Sequence, residues 1–241
     1  MDLKKFFSCA GILKDAALTF AALAAGFWLF GAYQGCSESL DKPNGVNPIV
    51  RYVNSTSNKK INRADINRAN KKENLLEQLI EKYACELKSG SINPEYGYND
   101  NFKHDSELML FARMIFGEAR NQPLEAMISV AYTAVNRMEI GGWYGKSLRE
   151  VLLKPWQYSC FNKNDLNRKK LMNPLLYETP EIFAKCLAVA HAVLNGLVKD
   201  PTNGATHYFS GNRKPRWARK MKWCGKIGDF KFYKESRTIC K

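Results

Sequence analysis

The chain has 241 residues, of which 45% are hydrophobic and 12% aromatic, enough for one good-sized globular domain with additional segments. Its 37 Lys and Arg against 23 Asp and Glu give a net charge of +14, so an anionic partner is expected: nucleic acid, anionic lipid or an anionic wall polymer. The seven Cys and three His contain no C-x-x-C pair, which excludes a zinc site of the usual spacing, and we expect no metal and no cofactor.

The first predicted element is an uncharged apolar run, residues 16–33, which follows a short N-terminal segment, residues 1–15. As a helix the run would span about 27 Å, close to the ~30 Å hydrocarbon thickness of a bilayer. Lysines before the run favour a cytoplasmic N-terminus. We therefore predict a single-pass transmembrane or signal-anchor helix in the inner (cytoplasmic) membrane, with the rest of the chain facing the periplasm or cell wall. A cleaved signal peptide and a later release of the anchor are the alternatives.

The next two segments predict a tether followed by a helix. Residues 34–72 are rich in Asn, Lys and Arg, with Pro and Gly near their start, which is typical of a flexible basic linker. Residues 73–104 begin with apolar side chains at helical spacing and pass a Ser-Gly stop at 89–90. We predict a short amphipathic helix and a connector there.

Two predicted helices meet at one carboxylate, Glu118. The first has Asp105 as a candidate N-cap, and the second starts at Pro123, where a missing N–H costs nothing. Apolar surroundings favour a protonated carboxyl group, the form that a general acid needs. The alternative is a helix-end carboxylate that pairs with Arg113 or Arg120.

The remaining elements complete a mostly helical α+β domain. Apolar periodicity predicts helices at 147–153 and 180–194. Alternating aromatic residues predict extended segments at 205–210 and 226–233, which would form a small β-sheet.

Five sequence blocks, in this order, resemble the spore-cortex-lytic type of cell-wall hydrolase. They are FGEAR (116–120), AYTAVNR (131–137), PWQYSC (155–160), GATHYF (204–209) and IGDFKFY (227–233), the last preceded by Trp217-Ala218. The similarity covers about residues 105–234, and we assign 105–241 as the catalytic domain. The resemblance implies a lysozyme-like fold and cleavage of peptidoglycan glycan strands, with Glu118 as the one catalytic carboxyl group.

A single competent carboxyl group suggests a lytic transglycosylase that acts on the MurNAc–GlcNAc bond. In that reaction the C6 hydroxyl of muramic acid replaces water, and Glu118 serves as acid and then as base. Hydrolysis in the usual form needs two carboxylates, and no later acid stands in a block as distinctive as that of Glu118. The alternatives are a muramidase-type hydrolase and a non-catalytic peptidoglycan-binding protein. Either a bacterial wall enzyme or a phage endolysin fits.

Side chains in the same blocks are candidates to bind sugar, because aromatic faces stack on pyranose rings and hydroxyl and amide groups fix orientation. They are Tyr132, Gln157, Tyr158, Ser159, Thr206, His207 and Tyr208. For Tyr132 the alternative is a core aromatic, and for His207 a hydrogen bond that stabilises the fold. Cys160 and Cys224 lie in loop-like segments and are predicted to form a disulfide, with reduced thiols as the alternative.

The segment 213–226 combines seven Lys and Arg with Trp217 and Trp223 and contains no acid. Basic residues interleaved with aromatics invite a nucleic-acid interpretation. No recognisable nucleic-acid module contains the segment, and the chain is expected to face away from the cytoplasm. We predict no nucleic-acid partner, and instead a solvated surface attracted to the wall, with Trp217 in the core.

Overall fold

α-Helices make up about half of residues 63–96 and 102–235, the part of the chain that the computed structural model describes. The helices are α1 (Arg63–Lys88), α2 (Glu107–Ala119), α3 (Leu124–Ile140), α4 (Leu148–Leu153), α5 (Arg168–Met172) and α6 (Pro180–Leu194). The strands are β1 (His207–Ser210), β2 (Lys222–Ile227) and β3 (Phe230–Lys234). Short 3-10 helices cover Phe102–His104, Ser159–Phe161, Pro174–Leu176 and Trp217–Lys220. The predicted class, mostly helical with a small sheet, is confirmed.

Helix α6 lies at the centre of the core and packs against α1, α2 and α3. It begins at Pro180, whose missing N–H costs nothing in the first turn, and its apolar residues from Phe183 to Val193 are almost fully buried. Helix α2 supplies Phe111, Met114 and Ile115 to the same core. Its cap is Ser106, whose hydroxyl accepts a hydrogen bond from the N–H of Met109 at 3.2 Å. The predicted N-cap, Asp105, is therefore wrong by one residue.

Helix α1 is longer than the sequence predicts and belongs to the domain. It begins at Arg63, inside the segment assigned to the linker, so the predicted boundary at residue 72 is wrong. Leu76, Leu79 and Leu87 are buried in the core that α1 shares with α6. The hydroxyl of Tyr83 lies 2.7 Å from Nδ1 of His191 on α6, which fixes the contact further.

The predicted apolar anchor, residues 16–33, lies outside the described residues, as does the linker up to residue 62. Within the described ranges, every helix is too short or too polar to cross a bilayer.

The three strands form an antiparallel sheet in the order β1-β3-β2. His207 pairs with Tyr233 and Ser210 with Phe230, so successive residues of β1 point to opposite faces. On the inner face, Tyr208 contacts the rings of Phe230 and Phe232, which belong to the core. On the outer face, the ring of Phe209 stacks on that of Tyr233, and Trp217 lies edge-on against both.

Candidate active site

Glu118 lies in the last turn of α2, half-buried, in the wall of a cavity of about 300 Å³. The hydroxyl of Tyr208, on the inner face of β1, donates a hydrogen bond to its Oε2 at 2.8 Å. The rest of the wall comes from the α2–α3 junction, a loop before α5, the end of β1 and the β2–β3 turn. These residues are Gly117, Ala119, Arg120, Asn121, Gln122, Asn167, Ser210, Asp229 and Phe230.

Neither Arg113 nor Arg120, the two ion-pair partners suggested by the sequence, pairs with Glu118 in the structure. Arg113 is only 1% exposed; its Nε donates to Asp105 Oδ2 at 2.8 Å, and its other nitrogens donate to the carbonyls of Pro94 and Leu171. The Nε of Arg120 lies 3.1 Å from a carboxylate oxygen of Glu178. The interpretation of Glu118 as half of a structural ion pair is therefore wrong.

Gly117 lets the helix approach the segment below it. A Cβ at this position would lie 2.6 Å from Cβ of Cys160 and 2.9 Å from Cδ1 of Leu171, closer than real Cβ contacts. Cys160 thus packs directly beneath the residue before Glu118. Burial, and then the nearby charge of Glu118, raise the pKa of the Cys160 thiol well above its usual range.

The predicted disulfide between Cys160 and Cys224 is wrong, because both thiols are free. Cys160 is buried beneath Gly117, whereas Cys224 lies on β2 with its Sγ 3.8 Å from the carbonyl oxygen of Lys222. Each sulfur has a different environment, on a different element. The alternative of reduced, partly buried thiols describes them.

Two buried tyrosines support the carboxylate from below. Burial, and then the charge of Glu118, raise the pKa of Tyr208 well above 10, so its phenol remains a hydrogen-bond donor at neutral pH. Tyr158 is 2% exposed, and its hydroxyl lies 3.1 Å from Oγ1 of Thr133. Burial also raises the pKa of Tyr158, while the guanidinium of Arg137, 4.8 Å from the ring centroid, opposes that rise. The predicted sugar contact by Tyr158 is replaced by a role beneath the site.

Three other predicted sugar-binding residues have their polar groups engaged within the fold. The hydroxyl of Tyr132 donates to the carbonyl of Val198 at 2.5 Å. Gln157 donates from Nε2 to the carbonyl of Tyr144 at 2.7 Å and accepts from Arg137. Thr206 is fully buried, and its carbonyl accepts from Nε of Arg137 at 2.8 Å. Thr206 is thus closed to substrate, whereas a sugar contact by the partly buried Tyr132 and Gln157 stays a prediction.

His207 lies on the outer face of β1, away from the cavity. Its Nδ1 is 2.9 Å from Oγ1 of Thr206, and its ring contacts Trp217. Burial, and then the nearby charge of Arg137, lower the pKa of His207 to about 4. The alternative, a histidine that stabilises the fold, describes this position.

A second cavity, of about 600 Å³, is lined by residues of the segment 153–165. Asp165 lines the second cavity and Asn167 the first, and the N–H of Asn167 donates to Oδ1 of Asp165 at 2.8 Å. Ser159 also lines the second cavity, as the sequence predicts for a cleft residue. Trp156 lies beside it, 85% exposed, with a left-handed φ of 68° that is strained for a tryptophan. Such exposure and strain are typical of a binding residue.

Sequence reasoning missed the second carboxylate of the first cavity, Asp229. The Nε2 of Gln122 donates to its Oδ2 at 2.9 Å, and the N–H of Asp229 donates to Oε1 of Gln122 at 3.2 Å. Gly228 permits this approach, because a Cβ there would lie 2.8 Å from Oε1 of Gln122 and 2.9 Å from Cβ of Ala126. In the sequence, the only sign of this carboxylate is the order Ile-Gly-Asp at residues 227–229, in the β2–β3 turn.

Comparison with known proteins agrees with this picture. Residues 121–233 match the family model of the Cell Wall Hydrolase, and the match begins three residues after Glu118. The spore cortex-lytic enzyme of Halalkalibacterium halodurans is 30% identical over 118 residues, which are 49% of this chain and 30% of that protein. The chain therefore spans less than a third of the length of that curated relative.

Two solved structures are also similar in sequence. The catalytic domain of the Bacillus cereus SleB protein is 26% identical, with 58% of this chain and 94% of that one covered and a TM-score of 0.39. The catalytic domain of the germination-specific lytic transglycosylase SleB from Bacillus anthracis is 26% identical, with 58% and 98% covered and a TM-score of 0.41. By these comparisons, residues 121–233 are similar to the cell wall hydrolase family.

Proposed function

We propose that the chain cleaves peptidoglycan glycan strands at the MurNAc–GlcNAc bond, as a lytic transglycosylase with Glu118 as acid and base. The observation that carries the proposal is the carboxyl group of Glu118. It lines an open cavity and receives its hydrogen bond from the phenol of Tyr208 instead of from a cation. A carboxyl group that is not held in an ion pair is available to act as a general acid and base.

The two oxygens of Glu118 have different tasks in this mechanism. Tyr208 occupies Oε2, so Oε1 carries the proton that passes to the glycosidic oxygen as the bond to C1 breaks. The C6 hydroxyl of the same muramic acid then attacks C1, and its proton returns to Glu118. The products are a free GlcNAc hydroxyl and a 1,6-anhydro ring, and the enzyme regains its starting state.

Both cavities offer groups that suit a sugar unit. The first is lined by Glu118, Gln122 and Asp229, and the second by Asp165 and Trp156. The exposed tryptophan gives a flat apolar face for a pyranose ring.

Replacement of Glu118 by Gln tests this function in the full-length protein. Wild type is expected to release fragments with 1,6-anhydro-muramic ends from purified sacculi, as read by mass spectrometry. Glu118→Gln is expected to lower the rate by roughly 10²–10⁴, the usual contribution of acid–base catalysis. Glu107→Gln, an exposed change in the first turn of the same helix, is the control and should retain activity. Full activity of Glu118→Gln would overturn the assignment.

A muramidase-type hydrolase is the second candidate, and Asp229 is the observation that favours it. Its carboxylate lines the same cavity as Glu118 and is oriented by Gln122. Hydrolysis of a glycosidic bond usually requires two carboxyl groups in one cleft, one as acid and one as base or nucleophile. Reducing muramic ends from wild type, with turnover lost in Asp229→Asn, would establish this alternative.

We also propose that residues 16–33 anchor the protein in the cytoplasmic membrane, with the domain facing the periplasm or wall. The uncharged run and the lysines before it support this placement.

A further inference from the structure

We propose that the outer face of the β-sheet is a second glycan-binding surface, which holds an uncleaved, carboxylate-bearing strand of the wall. This inference rests on the proposed function for the identity of the strand. The surface, here called the aromatic–basic face, consists of Phe209, Trp217, Trp223, Tyr233 and the exposed basic residues of the segment 213–226.

The aromatic part of this face is rigid and partly open to solvent. Trp217 is 37% and Trp223 51% exposed, so the predicted burial of Trp217 in the core is wrong. Both tryptophans lie edge-on against the ring of Tyr233, with centroids 5.9 and 5.2 Å away. Tyr233 in turn stacks on Phe209 with an interplanar angle of 19°. Exposed, pre-positioned aromatic rings offer contact area to a flat apolar partner at low entropic cost.

The segment that carries the two tryptophans has charges of one sign. The segment 213–226 contains no acid, and all its basic side chains are exposed: Arg213, Lys214, Arg216, Arg219, Lys220, Lys222 and Lys226. Two ammonium groups lie directly by the rings, that of Lys214 at 5.3 Å from the centroid of Tyr233 and that of Lys231 at 5.4 Å from that of Phe209. A single-sign field of this kind attracts an anionic polymer.

A peptidoglycan strand has the matching chemistry. Its pyranose rings present apolar faces for the tryptophans, and its stem peptides present carboxylates for the lysines and arginines. Single-stranded nucleic acid also combines flat rings with anions. The similarity of residues 121–233 to the cell wall hydrolase family favours the glycan strand.

The aromatic–basic face is separate from the cleft. Tyr208 and Ser210 on the inner face of β1 reach Glu118 and its cavity, whereas Phe209 between them points to the outer face. A strand held on the outer face is therefore out of reach of Glu118. The face retains the enzyme on its polymer without taking part in bond cleavage.

The test measures retention and turnover separately. Binding to purified sacculi is measured by pelleting, in the full-length chain with Glu118→Gln to prevent cleavage. Trp217→Ala with Trp223→Ala is expected to weaken binding by about tenfold or more, equivalent to ~1.4 kcal/mol. A triple change of Arg213, Arg216 and Arg219 to Gln is expected to weaken binding and to flatten its salt dependence. The matched control changes three exposed lysines elsewhere, Lys146, Lys185 and Lys199, to Gln and should bind like the parent.

Turnover of short soluble glycan fragments, measured with Glu118 intact, should be the same in both face variants and in wild type. This measurement separates the proposed cleavage from the proposed binding surface. If wild type shows no turnover, the proposed function is wrong, but the result of the binding experiment is unaffected. Unchanged sacculus binding by the arginine triple variant, which keeps the packed rings, would overturn the inference. So would single-stranded DNA that displaces the protein from sacculi through the same residues, since the face would then be a nucleic-acid surface.

Discussion

His207 and Tyr208 are neighbours in the chain, yet they have unrelated roles. Tyr208 points inward to Glu118, and His207 points outward to Trp217. The sequence block that contains them predicts both as sugar-binding residues, because a motif does not record which way a side chain points. The period-2 alternation of a strand would have separated them, had the bounds of β1 been known. The position of Glu118 near the junction of two helices was predictable, because two apolar helical patterns meet there, whereas its catalytic role is implied only by the family resemblance.

His207 should make the stability of the domain depend on pH. Its pKa of about 4 in the folded state lies below the ordinary 6.5, so the unfolded chain takes up the proton first as the pH falls. The free energy of unfolding should hold its full value above about pH 6.5 and decrease between pH 6.5 and 4 through this group. His207→Asn removes this dependence while keeping a polar atom near Thr206.

Thermal unfolding of wild type and His207→Asn across pH 4–7 measures the effect. The difference in Tm between the two proteins should change across that range and remain constant above it. His104→Asn, at an exposed position in the connector before α2, is the control and should track wild type. A pH-independent difference between wild type and His207→Asn would contradict the prediction.

At the scale of elements, the cleft depends on how closely α2 approaches the 3-10 helix Ser159–Phe161. The contact of Gly117 with Cys160 sets this distance, and Gly117 precedes Glu118 directly. The sequence gives the residue types of both blocks but not their contact, because Gly117 and Cys160 are far apart along the chain. Their close packing also shows why the predicted disulfide is wrong. Cys160 is a small buried side chain that packs against Gly117, and its thiol is free.

Gly117→Ala is expected to destabilise the domain despite the better helix propensity of alanine. Propensity favours alanine by about 1 kcal/mol, whereas forcing a methyl group into a packed contact costs about 1–3 kcal/mol. At 2.6 Å the obstacle is Cβ of Cys160, which cannot move without its backbone. Urea unfolding should show a net loss of stability and sacculus cleavage should fall as Glu118 shifts.

A double-mutant cycle identifies the cause. Cys160→Gly removes both atoms of Cys160 that the new methyl group would meet and leaves only Cδ1 of Leu171, the far end of a flexible side chain. Gly117→Ala should therefore cost less in the Cys160→Gly background. The double variant should lose less stability than the sum of the two single variants. Equal costs in both backgrounds would show that the contact does not limit the helix position.

At the scale of the whole molecule, the domain begins earlier than its composition suggests. Residues 63–72 are mostly polar, with Ile66 as their one large apolar residue, so the sequence predicts a linker there. They are helical because they continue α1, whose second half is buried against α6. Extending a helix by one residue costs little once a packed segment has nucleated it. The general class was predictable from periodicity, whereas this boundary depended on a tertiary contact.

The proposed anchor has a direct test at the same scale. The full-length chain, expressed in cells, is expected to sediment with membranes and to resist extraction with carbonate, because an uncharged 18-residue helix partitions into the bilayer. A variant without residues 16–33 should appear in the soluble fraction. A full-length chain found only in that fraction would contradict the anchor.

Arg113 has a further consequence for the interpretation of mutational surveys. It is nearly inaccessible and does not line the cavity, yet it binds Asp105 and the carbonyls of Pro94 and Leu171. It thereby secures the α5 region, just after the loop that carries Asn167, to the helix that carries Glu118. Removing one partner of a buried ion pair typically costs ~3–5 kcal/mol. A screen scored by loss of wall lysis would rank this position beside Glu118, the carboxylate of the proposed acid–base role. Such a score must therefore be divided by the amount of folded protein before any residue is given a chemical role.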